Sequence, residues 1–446
     1  MERLVLIFAY HFPPENSSGA ARPHRFYKYL SQLGYKCRVF TASDQLGGKD
    51  PNIEYVPDPF VTRSGRNLGW QIERAMRKIV LPGEVGMQWA YHAARAGRAY
   101  IRAHRGASVT IFSSFPPLGA HLAGWQLAYP NETRWIADFR DPPVAASVAG
   151  KGNRFREQAY RWLEHDVARR ADAIIANTDE AMEEWLEKFP SLNGKVHLIW
   201  NGFDPDNRVS ALPVSTGDCR VLSHIGDLYG GRTAMPILES IARLIEAGRL
   251  SPGSIRVQLV GATVPSAIPN PEFLDRAKGW LDVVTERIPQ CEARQIASSS
   301  GGLMLLQPQS ATQVPAKLFE YLQIGRPILA YVQANSPVER LLDQSGVPFR
   351  CVYPGSTHES LDSVVADFFS LPQSVVLANS WFQEQFNAKN QTLTLDAIIR
   401  ALHDEPAREM EPQNGPQNVA EHSTISTVQP AARNPHESRI ECSNRT

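Results

Sequence analysis

An α/β fold built as two Rossmann-like halves is predicted by three features of the 446-residue sequence. Short β-rich apolar runs alternate with helical patterns from the first residues onward, the signature of a parallel sheet covered on both faces. The alternation halts at "WNGFDPDNRVSALP", rich in Asn, Asp and Pro as turns are, and then begins again. A chain of this length also exceeds what one hydrophobic core ordinarily organises, so two domains follow.

In chain order, the first half offers strands at residues 4–9, 37–41, 109–113, 134–138, 173–177 and 195–200. Helical patterns lie between them at 21–33, 91–102, 154–170 and 178–188. After a hinge near 200–212 come a strand at 221–225, a helix at 233–247 and strands at 255–260 and 303–307. A helix at 315–324 and a strand at 327–331 follow, and an amphipathic helix at 387–403 ends the patterned region. The expected division is 1–202, 203–380, a helix within 381–403 placed against the N-terminal domain, and a tail at 404–446. The tail is rich in Pro, Gln, Asn, Glu and Ser, with few large apolar residues, so it is expected to be disordered. No internal repeat is visible beyond the two α/β halves.

Apolar content of 43% and charged content of 21% are those of a soluble globular protein. A formal net charge of +0 implies no general nucleic-acid role. The five cysteines (Cys37, Cys219, Cys291, Cys351, Cys442) form no CxxC pair, which argues against a disulfide framework or a zinc site and fits a reducing cytoplasm. The start reads as a buried strand rather than a signal peptide, and no run of about 18 apolar residues suggests a membrane span. The Asn-x-Ser/Thr triplets at Asn16, Asn131 and Asn390 are read as chance matches.

Open parallel sheets bind ligands at the carboxyl ends of their strands, so the residues just after each strand carry the functional information. Four places stand out. In "YHFPPENSSGAARPHRF", Pro13-Pro14 stops a strand, and Ser17, Ser18 and Gly19 let backbone N–H groups approach a ligand. The helix start behind them favours an anion, which Arg22 could pair; an ordinary strand–helix turn reads the same way. No GxGxxG is present, so a dinucleotide fingerprint is not supported. In "RWIADFRDPP", Asp138, Arg140 and Asp141 form either a rigid ion pair or a set of groups holding hydroxyls at a cleft.

In "LSHIGDLYGGRTAMP", a strand leads into Gly226, Gly230-Gly231 and Arg232, glycine freedom beside a guanidinium that suits a diphosphate. In "QPQSATQVPAKLFEYLQIGRPILA", Pro315 suits a first helical position and Thr312 or Gln313 a place near the cap. Lys317 lies in the first turn, where a cation opposes the helix dipole unless an anion is bound. Glu320, three residues on, shares its face and could reach hydroxyls beyond that anion, although such a pair is often only a solvated surface pair. Gly325 ends the helix.

Together these stretches resemble glycosyltransferase family 4, retaining sugar-nucleotide enzymes of the GT-B fold, from residue 4 to about 400. "FPPENSSGAARPHRF" is similar to the family's opening turn, glycine loop and arginine. "FSSFPPLGAHLAG", "WIADFRDPP" and "VPAKLFEYLQIGRPILA" resemble a subgroup with an Asp-Phe-Arg-Asp stretch, and "ADAIIANTDEAMEEWLEKFP" with "VHLIWNGFD" resembles the lead into the second domain. The resemblance implies that Gly19 faces the donor phosphates and sugar, that Arg232 and Lys317 hold the diphosphate, and that Glu320 accepts from the ribose hydroxyls. It implies that Asp138 lies near the sugar and acceptor, with Arg22, Arg140 and Asp141 on the acceptor side. Two departures stand out. Thr312 occupies the position where the wider family carries the first Glu of a Glu-x7-Glu pair, and Trp200 stands where a proline is more common.

The function implied is retaining transfer of a sugar from a nucleotide-activated donor to a saccharide or lipid-linked acceptor in surface-polysaccharide synthesis. No cofactor or metal is expected. The alternatives are another GT-B protein such as a sugar-nucleotide epimerase, and a non-catalytic nucleotide-sugar-binding module. Residues 61–105 hold nine Lys/Arg (Arg63, Arg66, Arg74, Arg77, Lys78, Arg95, Arg98, Arg102, Arg105) against Glu73 and Glu84, with Trp70, Met76, Ile79, Val80 and Leu81 interleaved. Such a segment suits either the inner face of the cytoplasmic membrane or a solvated basic face packed by its apolar side onto the first domain.

Overall fold

The computed structural model describes residues 2–15, 19–43, 50–62, 74–75, 85–129, 132–141, 154–213, 219–228 and 231–403. Two parallel sheets organise them. The first contains β1 (Arg3–Phe8), β2 (Lys36–Thr41), β3 (Ile53–Tyr55), β4 (Ser108–Phe115), β5 (Arg134–Phe139), β6 (Ala173–Ala176) and β7 (Val196–Leu198) in the order β3-β2-β1-β4-β5-β6-β7. The second contains β8 (Arg220–Ile225), β9 (Ile255–Val260), β10 (Leu281–Val284), β11 (Gly302–Gln307), β12 (Ile328–Val332) and β13 (Phe349–Val352) in the order β10-β9-β8-β11-β12-β13. Each is a Rossmann-like sheet, and in each the order reverses beside its first strand, which opens a crevice at the strand carboxyl ends.

The central strands are continuous apolar runs because both faces are covered. Leu4, Leu6 and Phe8 of β1 pack with Trp89, Ala93 and Trp135 on one face, while Val5 and Ile7 pack with Phe26, Leu30 and Phe112 on the other. The second sheet is sandwiched in the same way, with Leu303 and Leu305 against Leu318 and Leu322, and Met304 and Leu306 in a cluster with Ile237 and Phe368. The expected strands and long helices are present with ends shifted by one to a few residues.

Three strands had no counterpart in the sequence reading: β3, β10 and β13. All lie at sheet edges with part-exposed residues, so they lack the apolar run that marks a buried strand. The helices Leu118–Trp125, Gln290–Ser299, Pro337–Ser345 and His358–Ser370 were also not anticipated.

The chain returns to its start. The helix Ala388–Leu402 places Leu395, Ile398 and Ile399 in the cluster formed by Val5, Ile7, Phe26 and Leu30, against the helix Ala21–Gln32. Tyr35 donates to Asp396 Oδ1 at 2.6 Å, and Arg400 Nε donates to Asp396 Oδ2 at 2.8 Å. The tail at 404–446 lies outside the described residues.

Candidate functional site

The carboxyl ends of the two sheets place the site residues. In the first sheet β1 runs into Tyr10, His11 and a cis Pro13-Pro14 bond, and β4 runs into cis bonds at Phe115-Pro116 and Pro116-Pro117. The His11 ring lies 2.7 Å from Glu15 Oε1, yet burial holds its pKa below the ordinary histidine value. Asn16, Ser17 and Ser18 lie outside the described residues. At Gly19 a Cβ would lie 2.9 Å from Arg140 Nη1 and 3.3 Å from His11 Cδ2, so glycine is what admits the guanidinium here. The helix Ala21–Gln32 follows with no side-chain cap.

Arg22 and Asp138 are buried against each other. Arg22 is 2% exposed and Asp138 0%. Arg22 Nη2 donates to Asp138 Oδ1 at 2.8 Å and to the Ile199 carbonyl at 2.8 Å, while Nη1 donates to the Trp200 carbonyl at 2.7 Å. Ser114 Oγ donates to Asp138 Oδ2 at 2.8 Å, and Arg140 Nε donates to Ser114 Oγ at 3.1 Å. Asp138 is therefore the enclosed counter-ion of Arg22, and the pair fastens the segment entering the second half to β5. A carboxylate so enclosed cannot meet a sugar, nor can Arg22 meet a phosphate, without breaking a buried ion pair.

Arg140 and Asp141 sit nearer the opening. Arg140 also donates to the Pro116 carbonyl, and Asn177 donates to the Arg140 carbonyl. Burial pushes the Asp141 carboxyl up, opposed first by Arg140 and then by Arg232 of the other half.

In the second sheet β8 runs into Gly226, whose φ of 133° lies in a region that favours glycine. Lys317, the first residue of the helix Lys317–Ile324, reaches across it: a Cβ on Gly226 would lie 2.4 Å from Lys317 Nζ. Burial and then Arg232 push the ammonium down to about 7, opposed by Asp227. Arg232 Nη2 donates to Gln307 Oε1 at 2.8 Å at the end of β11. The Gln307 amide Nε2 is buried and has no hydrogen-bond partner among the described residues. A buried donor left unpaired costs about 1–3 kcal/mol, so it marks a place for an acceptor.

Pro315 precedes the helix rather than opening it, its carbonyl accepting from the Leu318 N–H at 3.0 Å. Thr312 and Gln313 do not cap the helix; their own N–H groups donate to Ser310 Oγ at 3.3 and 3.1 Å. Glu320 Oε1 accepts from Arg294 Nη2 at 2.7 Å and stays part-exposed. Gly325 ends the helix at φ 73°.

The two halves meet across the cleft. Thr178 Oγ1 donates to the Thr312 carbonyl at 3.0 Å, and Arg340 pairs with Glu180. Arg25, pushed down to about 10 by burial, feels both Asp204 and Glu320. The site so assembled holds Gly19, Arg140 and Asp141 on one wall and Gly226, Arg232, Gln307, Lys317 and Glu320 on the other. Gln307, Asp227, Arg294 and His11 were missed as site residues. The rule that singled out Gly226, position at a strand's carboxyl end, reaches Gln307 and His11 as well. Among the described residues, no group of three His, Cys, Asp or Glu side chains could hold a metal ion.

Residues 19–202 match the family model described as a glycosyl transferase 4-like domain. No curated protein matches the chain. Among solved structures, the sucrose-phosphate synthase of Thermosynechococcus elongatus superposes with a TM-score of 0.65 at 15% identity, over 91% of this chain and 100% of that one. Anabaena HepE, solved in complex with UDP and glucose, gives 0.60 at 11% identity, over 90% and 100%. WaaG, a glycosyltransferase involved in lipopolysaccharide biosynthesis, gives 0.54 at 15% identity, over 90% and 98%. Superposition over 90–91% of this chain shows the shared two-domain architecture. The chain has the GT-B fold, two Rossmann-like domains facing a central cleft, and residues 19–202 are similar to the glycosyl transferase 4-like domain.

Proposed function

We propose that the protein is a retaining glycosyltransferase that moves a sugar from a nucleoside-diphosphate donor to a saccharide or lipid-linked acceptor of surface-polysaccharide synthesis. The observation that carries the reading is the convergence of Arg232, Lys317 and the unpaired Gln307 Nε2 at the carboxyl ends of β8 and β11. Two cations and an orphaned donor form a place for an anion. HepE, of the same fold, was solved with UDP and glucose. In this reading residues 1–202 take the acceptor and 203–380 the donor.

Departure of a nucleoside diphosphate leaves charge on its β-phosphate. Arg232, Lys317 and N–H groups at the start of Lys317–Ile324 would stabilise that charge more in the transition state than in the ground state. Glu320, part-exposed and one turn beyond Lys317, would accept from the ribose hydroxyls. Gly19 would bring the opposite wall to the phosphates and sugar, and Arg140 and Asp141 would face the acceptor. Asp138 would act through this wall by holding Ser114, to which Arg140 is bonded. Thr312 supplies no carboxylate to the donor sugar; its contribution is the carbonyl that meets Thr178. The chemistry needs no cofactor or metal from these residues.

The test is thermal unfolding with UDP, GDP, ADP and TDP. A ligand at about 100 times its Kd stabilises the folded state by about 2.7 kcal/mol. Slow hydrolysis of the matching sugar nucleotide without acceptor would separate a transferase from a binding module. No shift with any of the four would remove the reading.

Docking on the inner face of the cytoplasmic membrane belongs to the same proposal. Within the segment concerned, residues 63–73 and 76–84 lie outside the described residues. In the described helix Met87–Ala103, Trp89, Ala90, Ala93, Ala94 and Gly97 are packed inward, which leaves Arg95 and Arg102 exposed. No helix among the described residues is long and apolar enough to cross a membrane. Sedimentation with anionic vesicles at low and high salt tests the docking; a chain that stays in the supernatant at low salt rejects it.

A further inference from the structure

We propose that His224 is a positioning residue for Lys317, its ring holding the ammonium over Gly226 at the mouth of the anion site. The inference rests on the functional reading above and adds a residue that touches neither donor nor acceptor.

His224 lies on β8, two residues before Gly226, and is 0% exposed. Its Nδ1 is 3.0 Å from the Met304 carbonyl of β11. A carbonyl can only accept, so Nδ1 carries the proton and Nε2 presents a lone pair. Lys317 Nζ lies 3.4 Å from that Nε2, within reach to donate to it. The tautomer is thus set on one side of the ring by the backbone of a central strand and read on the other by the lysine.

The charges around the pair agree. Burial first, then Lys317 and Arg232, hold the His224 ring neutral, well below the usual histidine range, opposed by the Met304 and Gly226 backbone. Arg232 and Asp227 face Lys317. A neutral ring is therefore an acceptor for the ammonium wherever Lys317 holds its proton. The stem of Lys317 crosses Gly226, where a Cβ would lie 3.1 Å from Cε and 2.4 Å from Nζ. Held between the glycine and the imidazole, the side chain loses little rotamer freedom when it meets a phosphate, and this favours binding.

The test is calorimetry of the full chain with UDP, GDP, ADP, TDP and inorganic pyrophosphate. The variants are His224→Asn, His224→Gln, Lys317→Met and the two double variants. Asn can keep the donor to Met304 and removes the acceptor; Gln can place an amide oxygen where Nε2 stands. For whichever probe the wild type binds best, His224→Asn should weaken binding at least about tenfold, as loss of a charge-assisted hydrogen bond does. His224→Gln should recover most of it. In the Lys317→Met background His224→Asn should have no further effect.

Wild-type affinity should fall as pH rises above about 7, because the free ammonium loses its proton there while the bound one keeps it. In His224→Asn the fall should begin at lower pH. An equal loss with and without Lys317 would make His224 merely structural, and unchanged affinity with an unchanged pH profile would also overturn the inference. A wild type that binds none of the probes would instead overturn the functional reading, and the inference with it.

Discussion

The buried carboxylate of Asp138 illustrates how a charged residue beside a cleft can be architectural. It accepts from Arg22 and Ser114, and Arg22 in turn holds the Ile199 and Trp200 carbonyls. Breaking a buried pair by removing one partner typically costs about 3–5 kcal/mol, because the other charge is left unpaired. Asp138→Ala should therefore lower the melting temperature by many degrees before any effect on nucleotide binding is considered; a variant as stable as the wild type would show that the pair is dispensable. Glu320 is the contrasting case. It is part-exposed, and its bond to Arg294 is of the kind worth about 0–1 kcal/mol to stability. Glu320→Ala should leave the fold intact and weaken nucleotide binding by about 1.5–3 kcal/mol, the usual loss for hydrogen bonds to a charged group. Unchanged affinity by calorimetry would remove it from the donor site.

At the scale of elements, the two helices that flank the opening β-strand differ in how legible they were. The helix Ala21–Gln32 shows its pattern in sequence, and so does Ala388–Leu402, but nothing in either pattern says that they pack together. The contact forms because Leu395, Ile398 and Ile399 complete a face of the first sheet that Phe26 and Leu30 cover only in part. Leu395 is 0% exposed. Leu395→Ala should cost about 2–5 kcal/mol, the range for truncating a buried leucine, and should be visible in chemical denaturation. A loss below about 1 kcal/mol would mean that the returning helix adds little to the first sheet. The edge strands β3, β10 and β13 were invisible for a related reason. Edge strands bury less side-chain surface, so their sequences carry no apolar run, and pairing with a neighbour alone defines them.

For the whole molecule, buried neutral histidines set an acid limit. His121 is 0% exposed, and burial with Arg140 nearby pushes it down to about 3. Its unfolded value is near 6.5, so the unfolded chain binds the extra proton first. The stability it contributes is complete above pH 6.5 and is lost as pH falls from there toward 3, at up to about 1.4 kcal/mol per pH unit. His224, also held well below its ordinary value, adds to the same limb. Unfolding free energies at pH 7, 6, 5 and 4 should decline, and His121→Gln should make the decline shallower by close to one proton. An identical slope in that variant would place the acid sensitivity elsewhere.

The sequence by itself determined the alternation of strands and helices, the restart near residue 200, and the strand ends that carry Gly19, Gly226, Arg232 and Lys317. Those features follow from period, turn chemistry and chain direction, which are local. Only the tertiary structure decided the pairings. Local order offers Arg140 and Asp141 as neighbours of Asp138, yet Asp138 is bound by Arg22, 116 residues away. The strand order β1-β4-β5 brings the helix after β1 over the end of β5. Strand order is a global choice, made by which faces bury one another, and no single segment encodes it. The same holds for Thr312, whose carbonyl meets Thr178 only because the two sheets face each other across the cleft.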